Sequence, residues 1–217
     1  MMDISISIPN SKEQEKIGAF FSKLDKLIAL HQSKFEKLQK IKKSCLQNLF
    51  PQNNQNTPKI RFKNFSDEWV ESRLDEIGDF QSNGVDKLSK PNEFKVNLLN
   101  YMDVYNQKNI TAKNCNKLMQ VTATLNQLIK NNILKGDVFF TPSSETPEDI
   151  GISIAINENL PNTVYSYHLI RFRPQENILD VKFSNYVFNN NFVRKQMILS
   201  AQGIQRYVIN KQKKKKI

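Results

Sequence analysis

EKIGAFFSKLDKLIALHQSKFEKLQKIKKSCLQNLFPQ, residues 15–52, holds one glycine, closes on a proline, and repeats apolar side chains every three or four positions. That period is the mark of an amphipathic helix. Pro9 blocks helix upstream, Ser11 can cap with Gln14 three residues on, and Pro51 stops the run. The expectation is one helix over about 11–49, a rod of roughly 55 Å at ~1.5 Å per residue. Its seam reads Ile17, Phe20, Leu24, Leu27, His31, Lys34, Leu38, Ile41, Cys45 and Asn48, with spacings alternating between three and four. This is a heptad a/d pattern, widened by Phe21, Ile28, Phe35, Leu46 and Leu49. A stripe on so long a rod needs a cover, and a second helix is the natural one. The plainer alternative is an amphipathic helix lying on its own domain.

Outward from the helix, PQNNQNTP (51–58) reads as a polar linker with proline at both ends. The remainder, 59–210, reads as one globular α+β (mixed α/β) domain, followed by a basic tail at 211–217. An entry strand is expected around Trp69 with a turn of helix from Ser72. Further strands are expected in KVNLLNYMDVY, KGDVFFTPSS, IGISIAIN and YSYHLIRFRP. A short helix follows Thr122 or Thr124, one helix carries Phe183, Tyr186, Val187, Val193 and Met197, and IQRYVIN forms a last strand. In YSYHLIRFRP, Tyr165, Tyr167, Leu169, Arg171 and Arg173 alternate with His168, Ile170 and Phe172.

Charge is uneven over the 217 residues, whose net is +11. Residues 1–50 carry nine Lys against five acids, and residues 206–217 carry Arg206 and five Lys; residues 51–205 are nearly neutral. The excess suggests a polyanion, although Lys and Asn are also abundant in proteins of AT-rich genomes. No apolar run reaches the ~20 residues of a membrane span, and the N-terminus lacks the charge-then-apolar order of a signal peptide. Cys45 and Cys115 are isolated, which suits a reducing cytosol and provides neither a disulfide framework nor a metal site. No glycine pattern cradles a nucleotide. His31 and His168 read as structural. Asp86 with Glu93 and Lys95 has only a faint likeness to a metal nuclease's triplet. The expectation is a non-catalytic chain with neither cofactor nor metal.

Three segments carry groups able to read bases and hold phosphates. QSNGVDKLSK offers Gln81, Asn83, Lys87 and Lys90, with Gly84 for a tight turn. TPSSET offers Ser143, Ser144 and Thr146. AQGIQR offers Gln202, Gln205 and Arg206 around Gly203. Each is equally compatible with an ordinary solvated loop.

Pro9, Glu13, Gln14, Lys16, Ile17, Phe20, Phe21, Leu24, Asp25, Ile28, Leu38, Leu46, Gln47 and Phe50 together resemble the spacer region of the specificity subunits of type I restriction–modification systems. WVESRLDEIGDF, KGDVFFTPSSETPEDIGISIAI, YSYHLIRFRP and AQGIQRYVIN are similar to that family's target recognition domain, in the family's order. The resemblance implies a cytoplasmic, non-catalytic reader of double-stranded DNA. It implies methyltransferase subunits as partners, which bring S-adenosylmethionine, and translocase–nuclease subunits in the restriction complex. A full subunit of the family has two recognition domains and two antiparallel spacer helices. One of each implies a half-subunit or fragment, pairing with itself or with another specificity fragment. A degenerate fragment that only docks on the methyltransferase is the alternative.

Overall fold

The computed structural model describes residues 5–52, 55–82, 84–202 and 207–209, with side chains described through Ser200. Asn83, Gly203, Gln205, Arg206 and the basic tail, all singled out above, lie outside the described residues, as does the side chain of Gln202. The chain divides into two compact units, Met1–Leu46 and Gln47–Ile217.

The first unit is built on α1, Ser11–Asn48. Asn10, not Ser11, provides the cap: its Oδ1 accepts the Glu13 N–H at 3.0 Å. The Gln14 carboxamide donates back to the Pro9 carbonyl at 2.7 Å. The short Asn side chain, with Pro9 fixing the residue before it, satisfies a donor that the helix itself cannot. No residue of α1 is buried. Phe20, Leu38 and Ile41 each keep more than half of their surface in water. Cys45 is exposed too.

The second unit begins where Phe50 buries its ring against Trp69 and Phe183, with centroids 6.1 and 5.7 Å away. Its elements follow in order: α2 (Leu74–Ile77), β1 (Gly78–Gln81), β2 (Phe94–Leu99), α3 (Tyr101–Tyr105), β3 (Met119–Ala123), α4 (Leu125–Lys130), β4 (Asn132–Ile133), β5 (Val138–Phe140), β6 (Ser143–Ser144), β7 (Ser153–Ala155), β8 (Leu160–Tyr165), β9 (Ile170–Pro174), α5 (Val181–Val187), α6 (Asn191–Ser200), β10 (Ala201–Gln202) and β11 (Tyr207–Ile209). One sheet is ordered β1-β9-β5-β7 and is antiparallel throughout. Another is ordered β3-β2-β8-β4, with β2 and β8 parallel. A small third sheet is ordered β10-β11-β6. A long helix followed by a mixed α+β domain is the fold class the sequence implies.

Four local expectations are corrected. Trp69 lies in no strand; its N–H bonds the Asn56 carbonyl at 2.8 Å and its ring completes the Phe50 cluster. KVNLLNYMDVY is a strand and then a helix, because the Asn100 side chain accepts the Tyr101 N–H and Asp103 accepts the Asn100 N–H. YSYHLIRFRP is split: Tyr165 closes β8 in one sheet, a turn carries Tyr167 and His168, and β9 opens in the other sheet. The C-terminal helix breaks at residues 188–190. There Asn189 donates to the Ser153 carbonyl and accepts its N–H, while Asn185 accepts the Ala155 N–H at 2.7 Å. These asparagines complete the hydrogen bonding of the edge strand β7, a job a continuous apolar helix face could not do. Of the two threonines, Thr124 is the cap of α4.

The apolar core has three clusters: one around Phe139, Leu99 and Tyr165, one around Phe172, Phe140 and Ile150, and one around Val96, Leu98 and Val164. Between β5 and β9 lies a buried ionic group. Asp137 is wholly buried and takes Arg173 on both oxygens, at 2.6 and 2.7 Å. Beside it, Arg171 bonds the Asn132 carbonyl at 3.0 Å and lies 5.4 Å from the Tyr165 ring centre. The Asp137 hydrogen bond raises the Arg173 pKa, whereas burial lowers that of Arg171. Both arginines are thus engaged inside the domain, Arg171 with Asn132 and Gln81 and Arg173 with Asp137 and Asn132.

Tyr165 is fully buried, and its hydroxyl has no hydrogen-bond partner among the described residues. Burial pushes its pKa up from 10.0 to about 12. Its folded-state pKa lies above the unfolded one, so its contribution is present below pH 10 and is lost as pH rises toward 12. Alkaline titration followed by circular dichroism is therefore expected to unfold the domain across that window. Tyr165→Phe is expected to move the transition upward, at little cost at pH 7 because no bond is broken.

Candidate nucleic-acid interface

Two of the three reading segments are brought into one small sheet. β6 pairs antiparallel with β11, Ser143 opposite Val208 and Ser144 opposite Tyr207, and β11 pairs in turn with β10. Ser143 and Ser144 of TPSSET thus share a sheet with Ala201 and Gln202, the described residues of AQGIQR. The Tyr101 hydroxyl donates to the Ser143 carbonyl at 2.9 Å. Ser144 Oγ accepts the Thr146 N–H at 3.3 Å, and Thr146 Oγ1 donates to Asp149 at 2.5 Å. Asp149 also raises the Tyr105 pKa by its charge, with burial and a hydrogen bond adding to it. Tyr105 stacks on Tyr101 at 6.0 Å.

The first segment divides. Gln81, at the end of β1, is engaged internally: it accepts from Arg171 and donates to the Asn131 side chain at 3.1 Å. Lys87 and Lys90 are exposed. The Lys90 backbone N–H bonds Thr122 Oγ1 at 2.8 Å, and its ammonium sits 3.5 Å from Asp86. Glu93 accepts from Thr122 at 2.7 Å, and no cluster that could hold a metal ion is found among the described residues.

Gly84 serves a close approach. A Cβ there would come within 2.4 Å of the Tyr165 carbonyl and the Ser166 backbone. Val85 bonds the Tyr165 carbonyl at 2.8 Å, and the Tyr167 N–H bonds Val85 at 3.1 Å. Ser166 bonds the Leu99 carbonyl at 2.9 Å. The Gly84 loop, the ends of β2 and β8, α3 and the β6 sheet are thereby joined by consecutive hydrogen bonds. Gly84→Ala is expected to cost about 1–3 kcal/mol, because backbone must shift to admit the methyl. Urea denaturation would register the loss, and hydrogen exchange at Val85 would show the loop detaching first.

Tyr101, Tyr105, Tyr167 and His168 lie along this route and were not among the expected reading residues. Tyr167 is half exposed, with its ring 3.9 Å from that of His168. Their only signal in the sequence is aromatic residues just past the ends of the apolar runs LLN and TVYS.

No family model and no curated protein matches the chain. Among solved structures, the crystal structure of the HsdS subunit from Thermoanaerobacter tengcongensis matches 96% of this chain at 15% identity and a TM-score of 0.52. The type I restriction–modification S subunit from M. genitalium matches 73% at 16% identity, with a TM-score of 0.43. A structure describing complex assembly and conformational transition of the type I R-M system matches 85% at 15% identity, with a TM-score of 0.46. A long helix leading into one such α+β domain is therefore a known arrangement, that of the HsdS fold. The chain spans only 35–46% of the length of these three. The fold is thus that of a type I S subunit, taken over less than half of its length.

Proposed function

We propose that this chain is the DNA-reading specificity component of a type I restriction–modification assembly and works as a half-subunit, two copies pairing through α1. The observation behind this is the exposed heptad seam of α1 on a chain with the HsdS fold. The seam is self-complementary when antiparallel. Laying residue i against 65 − i of a second copy sets Ile17 on Asn48, Phe20 on Cys45, Leu24 on Ile41, Leu27 on Leu38 and His31 on Lys34. Every layer then joins an a position to a d position, with two symmetry-related His31–Lys34 layers flanking the axis to fix register. Charge favours the same polarity. Residues 30–48 carry five Lys and one Glu, while residues 11–29 carry four Lys and three acids, so antiparallel pairing keeps the basic halves apart.

Two domains held by a ~55 Å rod, about 16 base pairs at ~3.4 Å each, would read a split site. Ser143, Ser144 and Thr146, with Gln202, Gln205 and Arg206 of the AQGIQR segment, would face bases. Lys87, Lys90 and the tail Lys213–Lys216 would hold phosphates. Asn83 joins the readers, and Gln81 acts through its tie to Arg171. The chain itself binds no cofactor and performs no catalysis; methyltransferase subunits supply S-adenosylmethionine, and translocase–nuclease subunits complete restriction.

The test is a gel shift with and without the methyltransferase subunit. Ser144→Ala and Gln205→Ala are expected to weaken binding to the cognate site by about 1–3 kcal/mol each while sparing non-specific binding. Removing the tail is expected to weaken all sequences alike and flatten the salt dependence. Docking on the methyltransferase without any gain in DNA affinity would instead show a pure interaction module.

A further inference from the structure

Strand β6 is only two residues long, Ser143–Ser144, too short a ladder to fix the loop that follows it. Two helices grip that loop instead. From one side, the Tyr101 hydroxyl of α3 donates to the Ser143 carbonyl at 2.9 Å, and the Tyr105 hydroxyl bonds Asp149, which also accepts from Thr146. From the other side, the Arg194 guanidinium of α6 donates to the carbonyls of Glu148 and Ile150, the second at 3.4 Å. One turn further along α6, the buried Met197 packs on Gly151, which takes a φ of 71°. A Cβ on Gly151 would come within 2.5 Å of the Met197 sulfur.

The same helix leads into the other reading segment. α6 ends at Ser200 and β10 begins at Ala201, in the small sheet that also contains β6. One helix therefore holds the loop after β6 with its middle and carries Gln202 just past its end. Resting on the reading that Ser143, Ser144, Thr146 and Gln202 face bases, we infer that α3 and α6 set the two reading segments in register with each other. Arg194 and Tyr105 are the positioning residues, and neither needs to touch DNA. A binding constellation works only while its groups stay within about 0.5 Å of their places. Arg194 suits the task because its planar fork can bond two carbonyls together.

The experiment selects duplexes from a randomised DNA library with the full chain in complex with its methyltransferase subunit, and sequences what is retained. Arg194→Met removes the donors and keeps the apolar stem; Tyr105→Phe removes one oxygen and keeps the ring against Tyr101. Each is expected to lower the enrichment of the parent's preferred sequence about tenfold, roughly one base contact's worth, while retention of random duplex stays unchanged. Arg194→Lys, which keeps a donor, is expected to regain most of the preference. Phosphate contacts act on every duplex and base contacts on the preferred one, so lost stability alone would lower both together. Arg194→Met and Tyr105→Phe proteins that both keep the parent's preference, or that both lose all duplexes alike, overturn the positioning role and leave the reading standing. A parent that enriches no sequence overturns the reading, and the positioning role with it.

Discussion

Leu24→Asp with Leu38→Asp is expected to convert the self-associated chain into a monomer at every concentration accessible to sedimentation. In the antiparallel register these residues face Ile41 and Leu27 of the partner, and two-fold symmetry doubles each change. Four carboxylates would enter an apolar seam that offers them no donor. Each forfeits the ~1.5–3 kcal/mol of a buried leucine and adds the cost of desolvating a charge. The sum weakens the dimer by more than ~1,000-fold. The globular domain should keep its circular dichroism and its denaturation midpoint, since no α1 residue is buried in the single chain. A double variant that still sediments as a dimer would mean that another surface makes the contact.

Asp137→Ala carries the second large effect. The carboxylate is wholly buried and holds Arg173 on both oxygens, and it also accepts the Leu134 N–H at 2.8 Å. Its removal leaves Arg173 without its counter-charge, and Arg171 already lies beside it. Breaking one side of a fully buried pair costs about 3–5 kcal/mol; with the Arg173 side chain still 32% exposed to water, the low end, about 3 kcal/mol, is expected, a large share of the ~5–15 kcal/mol that a domain has in total. Urea denaturation is expected to show much of the domain's stability gone. Removing both charges, as Asp137→Leu with Arg173→Met, should restore part of it, because no lone charge then remains. An Asp137→Ala protein as stable as the parent would refute the structural role assigned to these arginines.

The helix is legible in the sequence because a period near 3.5, bracketed by Pro9 and Pro51, leaves few alternatives. Which residue caps it is not, since Asn10 and Ser11 both can and geometry decides. The strands are legible where apolar runs are bounded, as in Val138–Phe140. They are misread where a polar side chain ends them locally: Asn100 turns β2 into α3, and Ser166 accepts the His168 N–H in the turn that separates β8 from β9. Of the reading segments, chemistry alone puts forward Ser143, Ser144 and Gln202. Their union in one sheet depends on pairing across some sixty residues, which no local pattern encodes. Gln81 has the same side chain as a base reader, yet a buried arginine ninety residues away occupies it. Gly84 shows as a glycine, but its reason, the backbone of Tyr165 and Ser166 against it, exists only once the chain is folded.

The most direct test is to sequence the DNA sites methylated by a complex of this chain, as the only specificity component, with its methyltransferase subunit. Two identical half-sites, inverted about a gap of fixed length, are the result predicted by two antiparallel copies holding one kind of domain at each end. An uninterrupted site, or two unlike halves, would contradict it.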